Sequence, residues 1–123
     1  MLTVAELIDR DGAVCVWCGR EVWPADLTAE HLLPRTRGGH STPENLAVAC
    51  RRCNRARGAR SVAAYVRTLA GDGVEPQLER LCAALSRLSA SPRRAHAGYG
   101  ARQLALLRAL AAQPAERRSR TFT

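Results

Sequence analysis

The sequence predicts an α+β fold, with a small β-β-α unit over residues 1–60 and a helical extension over residues 61–123 that ends in a basic tail from Glu116 to Thr123. Two apolar segments in the first half have the composition of short strands, and they enclose a loop rich in Gly and Pro. The residues after Cys50 favour a helix, because no helix breaker occurs before Gly58. In the second half, leucines recur at helical spacing in three separate segments.

Each element of the first half has a local signal. Thr3–Glu6 has the form of a capping box, which predicts a short first helix ending at Gly12. The segment Leu27–Leu33 is expected to be a strand, and the Gly- and Pro-containing residues 35–44 are expected to form the loop after it. Leu46–Cys50 is then the returning strand.

Four cysteines form two Cys-x-x-Cys pairs, Cys15 with Cys18 and Cys50 with Cys53. This spacing is typical of a structural zinc site, because each short loop turns two thiolates towards one tetrahedral ion. A redox pair is the less favoured alternative because no parallel-sheet pattern precedes it, and two disulfides would need an oxidising compartment. Cys82 lies among leucines on an apolar helical face and is expected to be a small buried hydrophobe.

Aromatic residues are scarce, with two Trp, two Tyr and one Phe in 123 residues. The first half therefore has little core of its own, and a zinc ion is expected to contribute directly to its folding. Trp17 and Trp23 are expected to pack over the zinc loops. No apolar segment approaches the ~20 residues of a membrane helix and the N-terminus lacks a signal-peptide pattern, so a cytoplasmic protein is predicted.

The chain is basic, with 19 Arg and no Lys against 11 acidic residues and a formal net charge of +8. The arginines concentrate between residues 35 and 60, where Glu44 is the single acid. Such a cationic field suits a phosphate backbone, because neutralised phosphates release condensed counterions. The alternative is a solvated arginine-rich surface without a ligand.

Three amphipathic helices are predicted beyond Gly58, with linkers at residues 71–73 and 89–100. His96 in the second linker and His40 in the earlier loop are expected to be solvated. The helices could dock on the β-β-α unit, pair between two chains in a homodimer or larger assembly, or cover part of a nucleic acid. Their apolar positions are Val62, Val66 and Leu69; Leu78, Leu81, Leu85 and Leu88; and Leu104, Leu107 and Leu110.

The residues between and after the cysteine pairs form a combined pattern. It consists of Glu30-His31-Leu-Leu-Pro34, Gly38-Gly39, Asn45-Leu46 and Asn54 directly after the second pair. Over about residues 7 to 60 this arrangement resembles the HNH endonuclease family, of the four-cysteine, zinc-stabilised type. The resemblance implies a ββα-metal fold, also called a His-Me finger, and metal-dependent hydrolysis of phosphodiester bonds.

The resemblance also implies a role for each matching position. His31 would be the general base that activates water, and Asn45 would tie the loop so that this imidazole is oriented. Glu30 and Asn54 would bind a catalytic Mg²⁺ or Mn²⁺, which favours oxygen ligands. Many family members have Asp at the position of Glu30. Because adjacent strand residues point to opposite faces, Glu30 and His31 can share one site only where the strand is twisted or bulged.

Three arginines are expected to contact phosphate, Arg35 and Arg37 after the strand and Arg57 where the family often has Lys. The sequence therefore predicts a metal-dependent endonuclease acting on DNA. Taken singly, His31, Asn45 and Asn54 could be a surface residue, a turn residue and a helix cap. The competing hypothesis is a non-catalytic zinc-stabilised module that binds nucleic acid or docks a partner through the same arginines.

Overall fold

The computed structural model describes residues 2–113, and the predicted basic tail lies outside these residues. The predicted α+β class is confirmed: a two-stranded antiparallel sheet is surrounded by helices. The principal elements are α1 (Val4–Asp11), β1 (Leu27–His31), β2 (Leu46–Cys50), α2 (Arg51–Arg57), α3 (Val62–Gly71), α4 (Leu78–Ser89) and α5 (Arg94–Ala111). Short 3₁₀ turns occur at Pro24–Asp26, Arg35–Arg37 and Pro43–Asn45.

Helix α1 begins with the predicted capping box. The Thr3 hydroxyl accepts a hydrogen bond from the Glu6 amide at 3.1 Å, and the Glu6 carboxylate accepts one from the Thr3 amide at 3.0 Å. These bonds satisfy amides that have no partner within the helix. The helix buries Leu7 completely and ends at Gly12, whose φ of 89° suits a residue without a side chain.

Strands β1 and β2 pair in a continuous register from Leu27 opposite Cys50 to His31 opposite Leu46. Strand β1 ends two residues earlier than predicted, because the backbone of Leu33 pairs with the side chain of Asn45 instead of with a strand. Each β1 residue has one partner, so the strand contains no bulge. Glu30 and His31 consequently point to opposite faces.

Helix α2 follows β2 without a linker. Cys50 is its N-cap, with its sulfur accepting a hydrogen bond from the Cys53 amide at 3.4 Å. Gly58 ends the helix at a φ of 55°. The end of the strand, the start of the helix and two of the predicted zinc ligands are therefore one local structure.

The three C-terminal helices dock on the β-β-α unit. Buried side chains from both halves, including Leu7, Leu46, Leu85 and Leu107, belong to one hydrophobic cluster. Of the three arrangements considered from sequence, docking is the one observed. Association between chains stays a prediction, as does the division at residue 60.

Helix α5 begins inside the segment predicted to be a linker at residues 89–100. A side chain at Gly100 would place its Cβ 2.7 Å from the Ser89 amide nitrogen, so this glycine lets α5 approach α4 closely. The expectation that His96 is solvated is wrong, because His96 lies on α5 with only 1% of its surface exposed. Within residues 2–113, no helix has both the length and the apolarity needed to cross a membrane.

Candidate functional site

The four paired cysteines come together as the sequence predicts. The sulfur atoms of Cys15, Cys18, Cys50 and Cys53 all lie within 4.8 Å of one another, and three of these residues are buried. A tetrahedral zinc site with Zn–S bonds of about 2.3 Å needs sulfurs about 3.8 Å apart. The cluster therefore fits a zinc ion after a small contraction, and Cys82 lies outside it.

The surroundings of the cysteines shift their acidity in different directions. Burial raises the pKa of Cys15 to about 11, and burial also raises the pKa of Cys53. At Cys18 burial acts in the same direction, but hydrogen bonds from Arg20, Cys15 and Cys53 together outweigh it and lower the pKa to about 7. A zinc ion would bind all four as thiolates, so binding is expected to release protons.

The two tryptophans have different environments. Trp17 is fully buried and packs edge-on against Tyr65, with ring centroids 5.1 Å apart. Trp23 is 81% exposed, so the expectation that both tryptophans cover the zinc loops is wrong for Trp23. Only Trp17 therefore belongs to the hydrophobic core.

His31 lies half-buried at the end of β1, and its Nε2 is 2.8 Å from the hydroxyl of Ser41. Burial lowers the pKa of His31, and the positive charges of Arg35 and Arg57 lower it further. The imidazole is therefore neutral near pH 7 and has a lone pair that can accept a proton. Sequence reasoning did not identify Ser41, because a serine in a polar loop carries no signal of its own.

Asn45 is completely buried between the strands and the loop that joins them. Its side-chain oxygen accepts a hydrogen bond from the Leu33 amide at 2.8 Å, and its nitrogen donates to the Leu33 and His40 carbonyls, each at 3.0 Å. The two bonds to Leu33 join the ends of the loop, and the bond to the His40 carbonyl ties one end to the interior of the loop. Asn45 thereby fixes the loop that contains Ser41.

Glu30 points away from His31, into the interior. Its side chain accepts a hydrogen bond from the Trp17 indole at 3.0 Å and pairs with the Arg57 guanidinium at 3.2 Å. Burial raises the pKa of Glu30, while Arg57 and Trp17 act in the opposite direction. The structure does not bring Glu30 and His31 into one site, so Glu30 as placed does not fit the predicted catalytic cation.

Asn54 lies half-buried on α2, facing β1. Its amide nitrogen donates to the Thr28 hydroxyl at 2.7 Å and to the Ala29 carbonyl at 3.4 Å. These bonds use the nitrogen and hold the helix against the strand. Among the His, Cys, Asp and Glu side chains of residues 2–113, the four-cysteine cluster is the only group of three or more that could hold a metal.

The predicted phosphate contact by Arg57 is wrong for this structure, because its side chain is buried with 1% of the residue exposed. Its guanidinium donates to the carbonyls of His31, Leu32 and Arg60, each at 2.6 Å. It also lies 5.2 Å from the centre of the Trp17 ring. Arg57 is thus an internal connection between α2 and the end of β1.

Arg35 and Arg37 remain at the surface. They lie on the 3₁₀ turn after Pro34, and both are exposed. The positive charge of Arg35 lowers the pKa of His31. The half-buried base at the end of β1 is therefore followed in the chain by a turn with two exposed cations, an arrangement suited to an anionic ester.

Two sequence comparisons relate this chain to known nucleases. Residues 15–70 match a family model described as HNH endonuclease. A stretch of 68 residues is 29% identical to the CRISPR-associated endonuclease Cas9 of Corynebacterium diphtheriae. The match covers 54% of this chain and 6% of that protein, so the similarity concerns a small part of Cas9.

Proposed function

Because residues 15–70 of this chain belong to the HNH endonuclease family, we propose that it hydrolyses phosphodiester bonds in DNA with His31 as the general base. The observation that carries the proposal is the state and position of His31. Its pKa is lowered, so it is unprotonated near pH 7, and it lies at the surface end of β1. A base in this state can take a proton from the attacking water.

Exposed cations near His31 support an anionic substrate. Arg35 and Arg37 lie on the turn that follows β1, where their guanidinium groups are free to approach a phosphate. Such contacts would position the backbone without reading the base sequence. In this proposal, the phosphates of DNA contact the protein surface formed by the loop between β1 and β2.

The resemblance also implies a catalytic Mg²⁺ or Mn²⁺. Glu30 does not fit this role as placed, since its carboxylate accepts hydrogen bonds from Trp17 and Arg57 in the interior. The oxygen of Asn54 is a suitable donor for a hard cation, because its nitrogen makes the bonds to β1. The proton transfer assigned to His31 does not depend on which residues hold the ion.

The decisive experiment compares wild type with His31→Ala on supercoiled plasmid, with zinc-loaded protein and with Mg²⁺ or Mn²⁺ added or omitted. Cleavage by the variant should fall by ~10²-fold or more, while DNA affinity and zinc content stay close to those of wild type. Added imidazole should restore part of the lost rate, because it can replace the missing base. Undiminished cleavage by His31→Ala would contradict the proposal.

A second candidate function is a zinc-stabilised module that binds DNA or a partner without catalysis. The pairing of Glu30 with Arg57 favours it, because this pairing withdraws a predicted metal ligand from the site. If this second function is correct, the wild-type protein should bind DNA without metal-dependent cleavage. The plasmid experiment separates the two functions.

A further inference from the structure

Helix α5 brings a buried histidine to the loop beside His31. The Nε2 atom of His96 accepts a hydrogen bond from the His40 amide at 3.1 Å, and its Nδ1 is 3.4 Å from the Thr42 hydroxyl. With 1% of its surface exposed, His96 cannot exchange these partners for water without a local opening. One side chain of α5 therefore contacts two positions in the loop.

Those two positions flank Ser41, whose hydroxyl contacts the candidate base. The distance between Ser41 Oγ and His31 Nε2 is 2.8 Å. The His40 carbonyl is held by Asn45, and the His40 amide is held by His96, so the peptide groups on both sides of this residue are fixed. Two hydrogen bonds, joined by the covalent link between His40 and Ser41, thus connect α5 to His31.

The hydrogen bonds also define the protonation of His96. Because Nε2 accepts from an amide, it carries no proton, and the neutral ring has its hydrogen on Nδ1, directed at the Thr42 hydroxyl. Burial lowers the pKa of His96, and the charge of Arg93 lowers it further, in agreement with a neutral ring. His96 therefore acts as an acceptor for the loop backbone.

We propose that His96 is a positioning residue for the cleavage site, fixing the loop so that Ser41 orients the imidazole of His31. This inference rests on the proposed function. His96 lies outside the segment matched by the family model, which ends at residue 70. The C-terminal helices thereby supply part of the active-site support in addition to covering the core.

The first test measures the maximal single-turnover cleavage rate and the dissociation constant of zinc-loaded variants on one DNA substrate. His96→Leu fills the space but removes the acceptor, so the maximal rate should fall about tenfold while affinity changes less than about twofold. His96→Gln carries an oxygen that can accept from the His40 amide and should recover most of the rate. Equal rates for wild type and His96→Leu would overturn the proposal.

Gln103→Leu is the matched control. Gln103 lies on the same helix, is 8% exposed and accepts a hydrogen bond from the Ala63 amide at 2.9 Å, away from the loop. Its replacement should lower stability to a similar extent and leave the maximal rate unchanged well below the melting temperature. An equal loss of rate in Gln103→Leu and His96→Leu would reduce His96 to a general stabilising role and overturn the proposal.

A second readout does not need activity. In His96→Leu, the His40 amide should exchange with solvent faster and the His31 ring resonances should shift, whereas Gln103→Leu should leave both unchanged. If wild type does not cleave DNA, the proposed nuclease function fails, and these spectra alone decide whether His96 positions the loop. Unchanged His40 exchange and unchanged His31 resonances in His96→Leu would overturn the positioning role.

Discussion

The ion pair between Glu30 and Arg57 is buried and stabilises the fold. The two side chains are 6% and 0% exposed, and Arg57 also binds three backbone carbonyls. Burying two charges is costly, but removing one partner is worse, because the remaining charge then has no counterion. The pair therefore holds α2 against the end of β1, which carries His31.

Replacing Glu30 with Ala should lower the free energy of unfolding by about 3–5 kcal/mol, since Arg57 stays buried without its anion. Urea unfolding of zinc-loaded protein, followed by circular dichroism, measures this difference. The double variant Glu30→Leu with Arg57→Leu should lose less than the sum of the two single variants, because it leaves no unpaired charge. A single-variant loss below about 1 kcal/mol would be typical of an exposed pair and would contradict this assignment.

The Gly-Gly sequence in the loop has a packing explanation. A Cβ on Gly39 would overlap the carbonyl oxygen of Leu33, the same carbonyl that accepts a hydrogen bond from Asn45. The loop can therefore close against the end of β1 only where residue 39 has no side chain. This closure places Ser41 beside His31.

Gly39→Ala should destabilise the protein by about 1–3 kcal/mol, because the loop must move away from Leu33. Gly98→Ala on α5 is the control, since a Cβ there would meet only the flexible end of Arg102, and alanine favours a helix. Thermal unfolding of both zinc-loaded variants tests the difference. A melting temperature for Gly39→Ala at or above that of Gly98→Ala would exclude the close approach as the reason for this glycine.

Under the proposed function, the exposed arginines of the 3₁₀ turn Arg35–Arg37 contact the phosphates of DNA. Each phosphate contact removed should flatten the slope of log affinity against log salt by about 0.9. Replacing Arg35 and Arg37 with Ala should therefore reduce the slope, with little change in sequence preference. A control replaces Arg102 and Arg108, two exposed arginines of α5, with Ala. Equal slope changes in the two double variants would place the DNA surface elsewhere.

Local signals predicted some elements well and others poorly. Strand β2 has its predicted bounds, and α1 has its predicted cap, because both depend on residues adjacent in sequence. The start of α5 was missed because His96, Gly98 and Gly100 have low helix propensity. Packing compensates for that low propensity, since Gly100 allows α5 to approach α4.

The same distinction applies to the candidate site. The four cysteines could be predicted from their spacing, because each Cys-x-x-Cys pair forms half of the zinc site locally. A single long-range contact between the two pairs then completes the site. The pairing of Glu30 with Arg57 and the burial of His96 depend on contacts across 27 and 56 residues of sequence, and no local pattern encodes them. The role expected for Arg57 was consequently wrong, although its position on α2 was predicted correctly.

The cysteine cluster connects the segment before β1, which contains Cys15 and Cys18, to the junction of β2 and α2, which contains Cys50 and Cys53. Native mass spectrometry of the purified chain should show one zinc ion, which is lost when Cys50 and Cys53 are both replaced by Ser. Unfolding should accompany the loss, because Cys15 and Cys53 line the same core as Trp17. Cys82→Ser should keep the ion. Zinc retained in the Cys50→Ser, Cys53→Ser variant would contradict the assignment.

The contrast between the two tryptophans gives the molecule two optical reporters. Trp17, enclosed beside Tyr65 and Glu30, should emit at shorter wavelength and resist collisional quenchers. Trp23, with 81% of its surface exposed, should emit at longer wavelength and be quenched readily by acrylamide. A Trp23→Phe variant would leave a fluorescence signal from the interior alone, so that unfolding or zinc removal could be followed without interference from the surface.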